Sequence, residues 1–585
     1  MATNSLKPTT PQSRNALHQY FPFLDWLFNY KRQDLVGDLM AGVIVAIMLV
    51  PQSMAYALLA GLPPQVGLYA SILPLMIYGL LGSSRALAVG PVAIMSLITA
   101  AGIGAVAQSP EEYVALALIL ALLVGIMQVA MGVFRLGFLV NFLSHPVISG
   151  FTSAAALIIG FSQLKHLMGI DIPRTGQIHE TILYAIENIS ATNPMTLGLG
   201  VGGIAMLIYF KTFLGRQLKK WHVPEAAIMP ITKAGPLVIV LIGTLLVWGF
   251  TLHDTADVRI VGAIPAGLPP LTLPTFDMAR WQALLPTVLT LSFVGFMESI
   301  SVAKSLASKR RQKIDANQEL VALGAANLGA SVTGGYPVTG GFSRSVVNFT
   351  AGANTGLASI VTALLIAVTV LLLTPLFFFL PQAVLAAIII VAVATLFDIT
   401  TLKHTWHYNK ADAVALIITF IAVLTQGIEI GILVGVAATV VLFLWRSSRP
   451  HVAVVGRLGE SETYLNVLRH EVQTWPEVVA VRVDESLYFA NTKYLEDTLL
   501  GAVAERPEVK HLVLIGTAIN YIDASALETL ESLVQELRDA GVELHLAAIK
   551  GPVMDRLKSI GFVDKVGADR FYLSTHDAMK ALGYV

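Results

Sequence analysis

Apolar runs of roughly 20 residues, the length a helix needs to cross a bilayer, recur from about residue 39 to about residue 447 of this chain. They fall near residues 39–60, 65–81, 91–106, 113–133, 146–168, 196–211 and 235–252, and again near 283–304, 319–333, 338–351, 355–380, 382–397, 411–426 and 428–447. That makes about fourteen spans, some only half the usual ~20-residue length. With 55% of its 585 residues hydrophobic and 13% charged, the chain lacks the polar surface of a soluble protein, so lipid must cover much of it. After Arg449-Pro450 the pattern changes to short β-rich runs near 478–483, 511–515 and 542–548, alternating with amphipathic helices near 491–506 and 524–540. The expected organisation is a cytoplasmic segment over 1–36, an all-α polytopic membrane domain over 37–449 and a small α/β cytoplasmic domain over 450–585.

Several function classes drop out. Net charge is zero, and no run interleaves basic with aromatic residues, so nucleic acid is not an expected partner. The absence of cysteine removes disulfides, thiolate nucleophiles and cysteine-ligated metals. No GxxxxGK[ST] loop, HExxH or histidine cluster at metal-ligand spacing occurs, which leaves ATP-driven pumping and a zinc active site without support. The reading is of no enzyme, no cofactor and no metal, with any transport being secondary.

The N-terminal segment carries Pro8, Pro11 and Pro22 among scattered basic residues and lacks the short apolar core of a signal peptide. It is expected to stay in the cytoplasm, and an even number of spans returns the C-terminus to the same side. Loop charge agrees. Lys211, Arg216, Lys219, Lys220 and Lys233 lie between the sixth and seventh runs, and Lys309, Arg310, Arg311 and Lys313 follow the eighth, whereas the predicted outer loops at 61–67 and 108–113 have neither Lys nor Arg. The expected location is an inner or plasma membrane, crossed many times, with both termini cytoplasmic.

A weak internal repeat is visible. Gly90-Pro91-Val92 opens the third run and Gly335-Tyr336-Pro337-Val338 the tenth, each the third of a seven-span half. Proline in a first helical turn beside glycine suits a half-length helix that begins inside the membrane, although two unrelated kinks would look the same. If both helices start mid-membrane, their positive ends converge from opposite sides and form a site for an anion.

Ionisable groups inside spans are costly and point to function, and the two deepest are Glu298 and Arg344. Glu298 shares a helical face with Ser301 and Ser305, expected to face inward, while Ser292, Gly295, Ser299 and Ala303 form a small-residue stripe suited to close packing. Such a carboxylate can exchange a proton during transport; the other reading is a fixed structural partner of a cation. Arg344, in Thr339-Gly340-Gly341-Phe342-Ser343-Arg344-Ser345, can bind an oxyanion bidentately, with Ser343, Thr339 and backbone N–H groups donating further. Its alternatives are snorkelling to the interface or pairing with Glu298. Gln52 and Tyr56, one turn apart after Pro51, can line the same cavity or serve as glue between helices. In the soluble part, Asp523 is a candidate N-cap and Ser525 sits in the first turn behind it. Capping alone explains both, and phosphorylation of Ser525 is the alternative.

These residues resemble the sulfate-permease (SulP) anion transporters, and the likeness covers almost the whole chain. Val50-Pro51-Gln52-Ser53-Met54-Ala55-Tyr56-Ala57, with Gly61-Leu62-Pro63-Pro64, is similar to the family's first-span signature. Gly82-Ser83-Ser84-Arg85 leading to Gly90-Pro91 is similar to the entry to its third span, Phe296-Met297-Glu298-Ser299 to its eighth-span acidic motif, and Gly340-Gly341-Phe342-Ser343-Arg344-Ser345 to its tenth. The C-terminal part resembles a STAS domain, with Asp523-Ala524-Ser525 at the Asp-x-Ser position. The resemblance implies a seven-plus-seven inverted repeat, a core moving against a gate, and a homodimer. It implies an anion site built from spans one, three, eight and ten, here Gln52, Tyr56, Val92, Ser343 and the backbone around Thr339, Gly340, Gly341 and Phe342. Glu298 matches the glutamate linked to proton coupling in plant-type sulfate transporters, where sodium-bicarbonate members of similar fold tend to have Asp. Val92 departs from the aromatic found in some animal members.

The expected function is proton-coupled sulfate uptake. Sodium-coupled bicarbonate transport, or carriage of chloride or a dicarboxylate, is the runner-up. A membrane-anchored STAS signalling scaffold is the alternative from another class, disfavoured because an anchor has no use for intramembrane charges.

Overall fold

The computed structural model describes residues 21–138, 144–172 and 178–585; the first twenty residues of the expected N-terminal segment lie outside them. The chain forms two units, Met1–Thr439 and Val440–Val585.

Every apolar run contains a helix. In the first half these are α1 (Arg32–Leu59), α2 (Leu73–Leu81, after the short helix Pro64–Tyr69), α3 (Ala93–Gly104), α4 (Pro110–Val133), α5 (His145–Ser162), α6 (Pro194–Tyr209) and α7 (Gly235–Gly249). In the second they are α8 (Met278–Lys309), α9 (Ala316–Val332), α10 (Phe342–Thr350), α11 (Leu357–Leu372), α12 (Gln382–Val393), α13 (Lys410–Gln426) and α14 (Ile428–Ser447). Short polar side chains start several of them: Asn193 accepts from the N–H groups of Met195 and Thr196, Asp277 from Ala279 and Arg280, and Asp315 from Asn317 and Gln318. Among the described residues, seven helices are long and apolar enough to cross a membrane, or eight if the bent pair ending in α7 is one span. The other runs are short or broken, and α10 has only 9 residues.

The two halves pack reciprocally. The helix α1 packs on α11 as α8 packs on α4, α3 on α8 as α10 on α1, and α5 on α13 as α12 on α6. Shifting each number by seven maps one contact onto its partner, as the inverted repeat requires. The α4–α9 pair approaches backbone to backbone: a Cβ on Gly324 would meet the Val129 nitrogen at 2.6 Å, and one on Gly125 the Leu328 nitrogen at 2.8 Å. Only glycine fits there.

The repeat meets in a two-stranded antiparallel ribbon. Strand β1 (Val89–Gly90) pairs with β2 (Thr339–Gly340) in the register Val89↔Gly340 and Gly90↔Thr339, and the Gly341 N–H donates to the Ala88 carbonyl at 3.1 Å. Gly90 adopts φ +151°, a conformation that favours glycine. This corrects the expectation that Pro91 and Pro337 sit in first helical turns. Helix α3 begins at Ala93 and α10 at Phe342, so both prolines lie in extended chain leading to the helices. Pairing across the ribbon satisfies backbone groups that an isolated break in a membrane helix would leave open.

The second unit has a six-stranded sheet in the order β4-β3-β5-β6-β7-β8, comprising β3 (Val452–Arg457), β4 (Tyr464–Asn466), β5 (Val478–Val483), β6 (His511–Ile515), β7 (Glu543–Ala547) and β8 (Phe571–Tyr572). Strands β5 to β8 are parallel, while β3 runs antiparallel to both its neighbours. Helices α15 (Thr492–Ala504), α16 (Ala524–Asp539) and α17 (Gly551–Ser559) bury Leu495, Leu499, Leu530, Leu533, Leu537 and Leu557 with Leu514 and Leu546 on one face. On the other, Ala578 and Met579 of α18 (Thr575–Ala581) pack on Val513 and Ala547.

Each unit has its own apolar core. Removing residues after 460 is therefore expected to leave a chain that still inserts into membranes, checked by carbonate extraction and protease protection; a truncated chain recovered only in the soluble fraction contradicts this.

Candidate functional site

Helix α3 begins after N-cap Val92 and α10 after N-cap Gly341, and neither has a side-chain cap. The first N–H groups of a helix have no partner within it, so two positive helix ends lie side by side at the ribbon.

Arg344, in the first turn of α10, is 2% exposed. Its Nη1 donates to the Pro91 carbonyl across the ribbon, while Nε and Nη2 are buried without a hydrogen-bond partner. The guanidinium packs against the two strand ends: Nη2 lies 3.0 Å from where a Gly341 Cβ would stand and 3.4 Å from one on Gly90. The side chain is enclosed by protein, and no ion pair at bonding distance joins it to Glu298 among the described residues. The Oε2 of Glu298 is likewise buried and unpaired. Glu298 and Tyr56 both lie within electrostatic reach of Arg344.

The remaining expected residues take different positions. Gln52 and Tyr56 are buried on α1, each 7% exposed, and make no side-chain hydrogen bond among the described residues. Val92 touches the same place, its Cγ1 lying 3.2 Å from a Cβ built on Gly341. Thr339 is tied to α8: its hydroxyl donates to the Gly295 carbonyl at 2.6 Å and meets the Ser299 hydroxyl at 2.7 Å. Ser299 in turn accepts the Gly340 N–H at 2.8 Å. The hydroxyl of Thr339 thus builds the ribbon's support. Phe342 and Ser343 are exposed. So are Ser301 and Ser305, contrary to the expected inward face; the inward side of α8 is the Gly295–Ser299 stripe, and Glu298 stands at its edge. In the second unit Asp523 caps α16 by accepting from the Ala526 N–H at 2.8 Å, and Ser525 is exposed beside it.

A broken helix pair with uncapped ends and a buried, half-unpaired arginine is one half of the comparison with known proteins. The other is sequence: the model of the sulfate permease family matches residues 35–419 and that of the STAS domain residues 469–578. The chain belongs to the sulfate permease family. It is 38% identical to "Sulfate transporter 4.1, chloroplastic" of Arabidopsis thaliana, covering 97% of this chain and 83% of that protein. It is 33% identical to "High affinity sulfate transporter 2" of Stylosanthes hamata, covering 97% and 87%. Among solved structures it is similar to the murine Solute Carrier 26 family member A9 anion transporter in the inward-facing state, with TM-score 0.88, 25% identity and coverage of 100% and 97%. It is also similar to the transmembrane domain of the cyanobacterial bicarbonate transporter BicA, with TM-score 0.57, 26% identity and coverage of 70% and 98%. This sulfate permease family member is therefore a multi-pass membrane transporter.

Its ribbon rests on polar struts that sequence reasoning missed. Asn327 on α9 clamps Val338, accepting its N–H at 2.8 Å and donating to its carbonyl at 3.1 Å, and donates to Gln128 of α4 at 3.0 Å. Ser345 accepts the Ala88 N–H at 2.9 Å, and Asn348 donates to the Ala86 carbonyl at 3.1 Å. Fully buried Glu319 accepts from Tyr78, from the Ser83 hydroxyl and from the Ser83 and Ser84 N–H groups, fixing the chain that enters β1. Polar residues in an apolar helix were the available signal, but their partners lie far away in the chain.

Replacing Asn327 by Leu removes the partners of the Val338 N–H, the Val338 carbonyl and the Gln128 side-chain Oε1, at about 1–3 kcal/mol for each buried group left unpaired. The expected outcome is a lower thermal-unfolding midpoint in detergent with helix content kept, read by circular dichroism; an unchanged midpoint would show that the clamp does not support the ribbon.

Proposed function

We propose that this protein takes up sulfate together with protons, as a secondary transporter in a cell membrane with both termini cytoplasmic, working as a homodimer. The observation that carries the reading is Arg344: a buried cation with two unpaired donors beside two uncapped helix starts is matched by a compact dianion that accepts several charge-assisted hydrogen bonds at once. Its relatives' names supply sulfate as the dianion. In this reading Tyr56, Gln52 and Val92 line the anion's other side, and the backbone of Gly340, Gly341, Phe342 and Ser343 contacts it.

Glu298 is the proposed proton carrier. Among the described residues its unpaired buried oxygen has no cation at bonding distance to hold it ionised, and a dianion nearby opposes its charge. Two unit charges 5 Å apart at an effective dielectric near 20 repel by about 3 kcal/mol, so proton and sulfate favour each other's binding. The opposing reading, a sodium-driven bicarbonate carrier, differs in the coupling ion and substrate, and uptake of labelled anions into proteoliposomes under imposed pH or sodium gradients separates the two.

Arg344→Ala removes at least one hydrogen bond to a charged group, worth about 1.5–3 kcal/mol, so sulfate affinity is expected to fall at least roughly 10- to 100-fold. Equilibrium binding to purified protein checks this, and an unaltered Kd removes Arg344 from the site. Glu298→Gln keeps the shape of a protonated carboxyl but cannot release a proton. It is expected to retain sulfate exchange while losing acceleration by an inward pH gradient. Wild-type accumulation by the mutant under that gradient returns Glu298 to a structural role.

A further inference from the structure

In the soluble unit, three metal-capable side chains that no part of the transport reading uses meet on one face of the sheet. Strands β6 and β7 are parallel with His511 opposite Glu543, and His545 follows Glu543 by two residues, so all three project to the same side. The His511 Nδ1 lies 3.1 Å from the His545 Nε2 and 3.6 Å from Glu543 Oε2, and that oxygen lies 3.8 Å from the His545 Nε2. We infer that His511, His545 and Glu543 form a binding site for one divalent transition-metal ion of the zinc class.

Ligand atoms about 2.0–2.2 Å from a tetrahedral ion stand roughly 3.3–3.5 Å from one another, so the observed triangle closes on an ion with shifts of a few tenths of an ångström. Two imidazole nitrogens and one carboxylate oxygen suit zinc; calcium and magnesium demand an oxygen shell. Neighbouring groups orient these ligands. Arg570 holds Glu543 Oε1 at 2.7 Å, which turns Oε2 toward the histidines, and the Tyr572 hydroxyl stands 3.5 Å from the His545 Nδ1, the nitrogen facing away from the cluster. Lys510, the nearest competing cation on the same strand end, is drawn aside to Glu477 at 2.7 Å. The side chain of His545 is 4% exposed and that of Glu543 46%: the ion would enter past the carboxylate and keep a fourth position for water. Without an ion, the two imidazoles share a hydrogen bond, and this is the competing account of their contact.

The test uses full-length protein in detergent, stripped with a chelator and titrated with zinc chloride against a chromogenic indicator. Wild type is expected to bind one equivalent more than Glu543→Gln or His511→Gln, or to hold it at least about 10-fold more tightly, with millimolar magnesium failing to displace it. Glu543→Gln preserves size at a half-exposed position, and circular dichroism checks that both variants fold. Cobalt(II) added to wild type gives a readout independent of any variant: the strong visible absorption of a four-coordinate ion supports the site. Equal zinc uptake and affinity in all three proteins, displacement by magnesium, or only the faint spectrum of six-coordinate cobalt would each overturn the proposal.

Discussion

A guanidinium enclosed within the membrane unit is what the rest of that unit must accommodate. A buried charge is costly unless its donors are met, and among the described residues Arg344 has a single protein acceptor, the carbonyl of Pro91. That acceptor belongs to the other half of the repeat. The ribbon that brings it there has only two residues in each strand, too few to persist alone, so Ser299 of α8, Asn327 and Glu319 of α9, and Ser345 and Asn348 of α10 hold it from three helices. Most of these buried polar groups bond to main chain near the ribbon, and so fix where the positive charge sits.

This arrangement divides labour between backbone and side chains. Backbone pairing joins the halves and orients two helix starts, while two nitrogens of Arg344 and one oxygen of Glu298 stay buried without a hydrogen-bond partner. The small residues of α8 allow the close approach: a Cβ on Gly295 would stand 3.2 Å from both Met95 and the Thr339 hydroxyl. In the STAS unit, by contrast, near-continuous apolar runs in the central parallel strands, covered on both faces, settle the architecture, and the polar cluster lies within the first three residues of β6 and β7.

Properties local in sequence were legible. Span positions follow from run length and hydropathy, and all fourteen runs hold helices; the paired Gly–Pro breaks marked the ribbon, and a lone arginine in an apolar run marked the buried guanidinium beside it. Pairings between distant residues were not. Asn327 looks like any polar residue on a membrane helix until Gln128 arrives from 199 positions away. Thr339 reads as a ligand donor because its neighbours are, yet Ser299 and Gly295 claim its hydroxyl. The inward assignment of Ser301 and Ser305 failed because helical periodicity gives a face without saying which neighbour covers it. His511 and His545 are 34 positions apart, and only parallel register brings them together.

The register of the ribbon also sets an order of assembly. Gly90 pairs with Thr339, and a ribosome adding roughly 5–20 residues per second needs about 12–50 s to make the intervening chain. During that interval the open strand before α3 has no partner for its backbone N–H and C=O groups, which hydrocarbon penalises by several kcal/mol each. The ribbon therefore cannot close until the chain has been made as far as β2, and its backbone groups are paired only then. Joining the two halves of this chain is in that sense a long-range closure event.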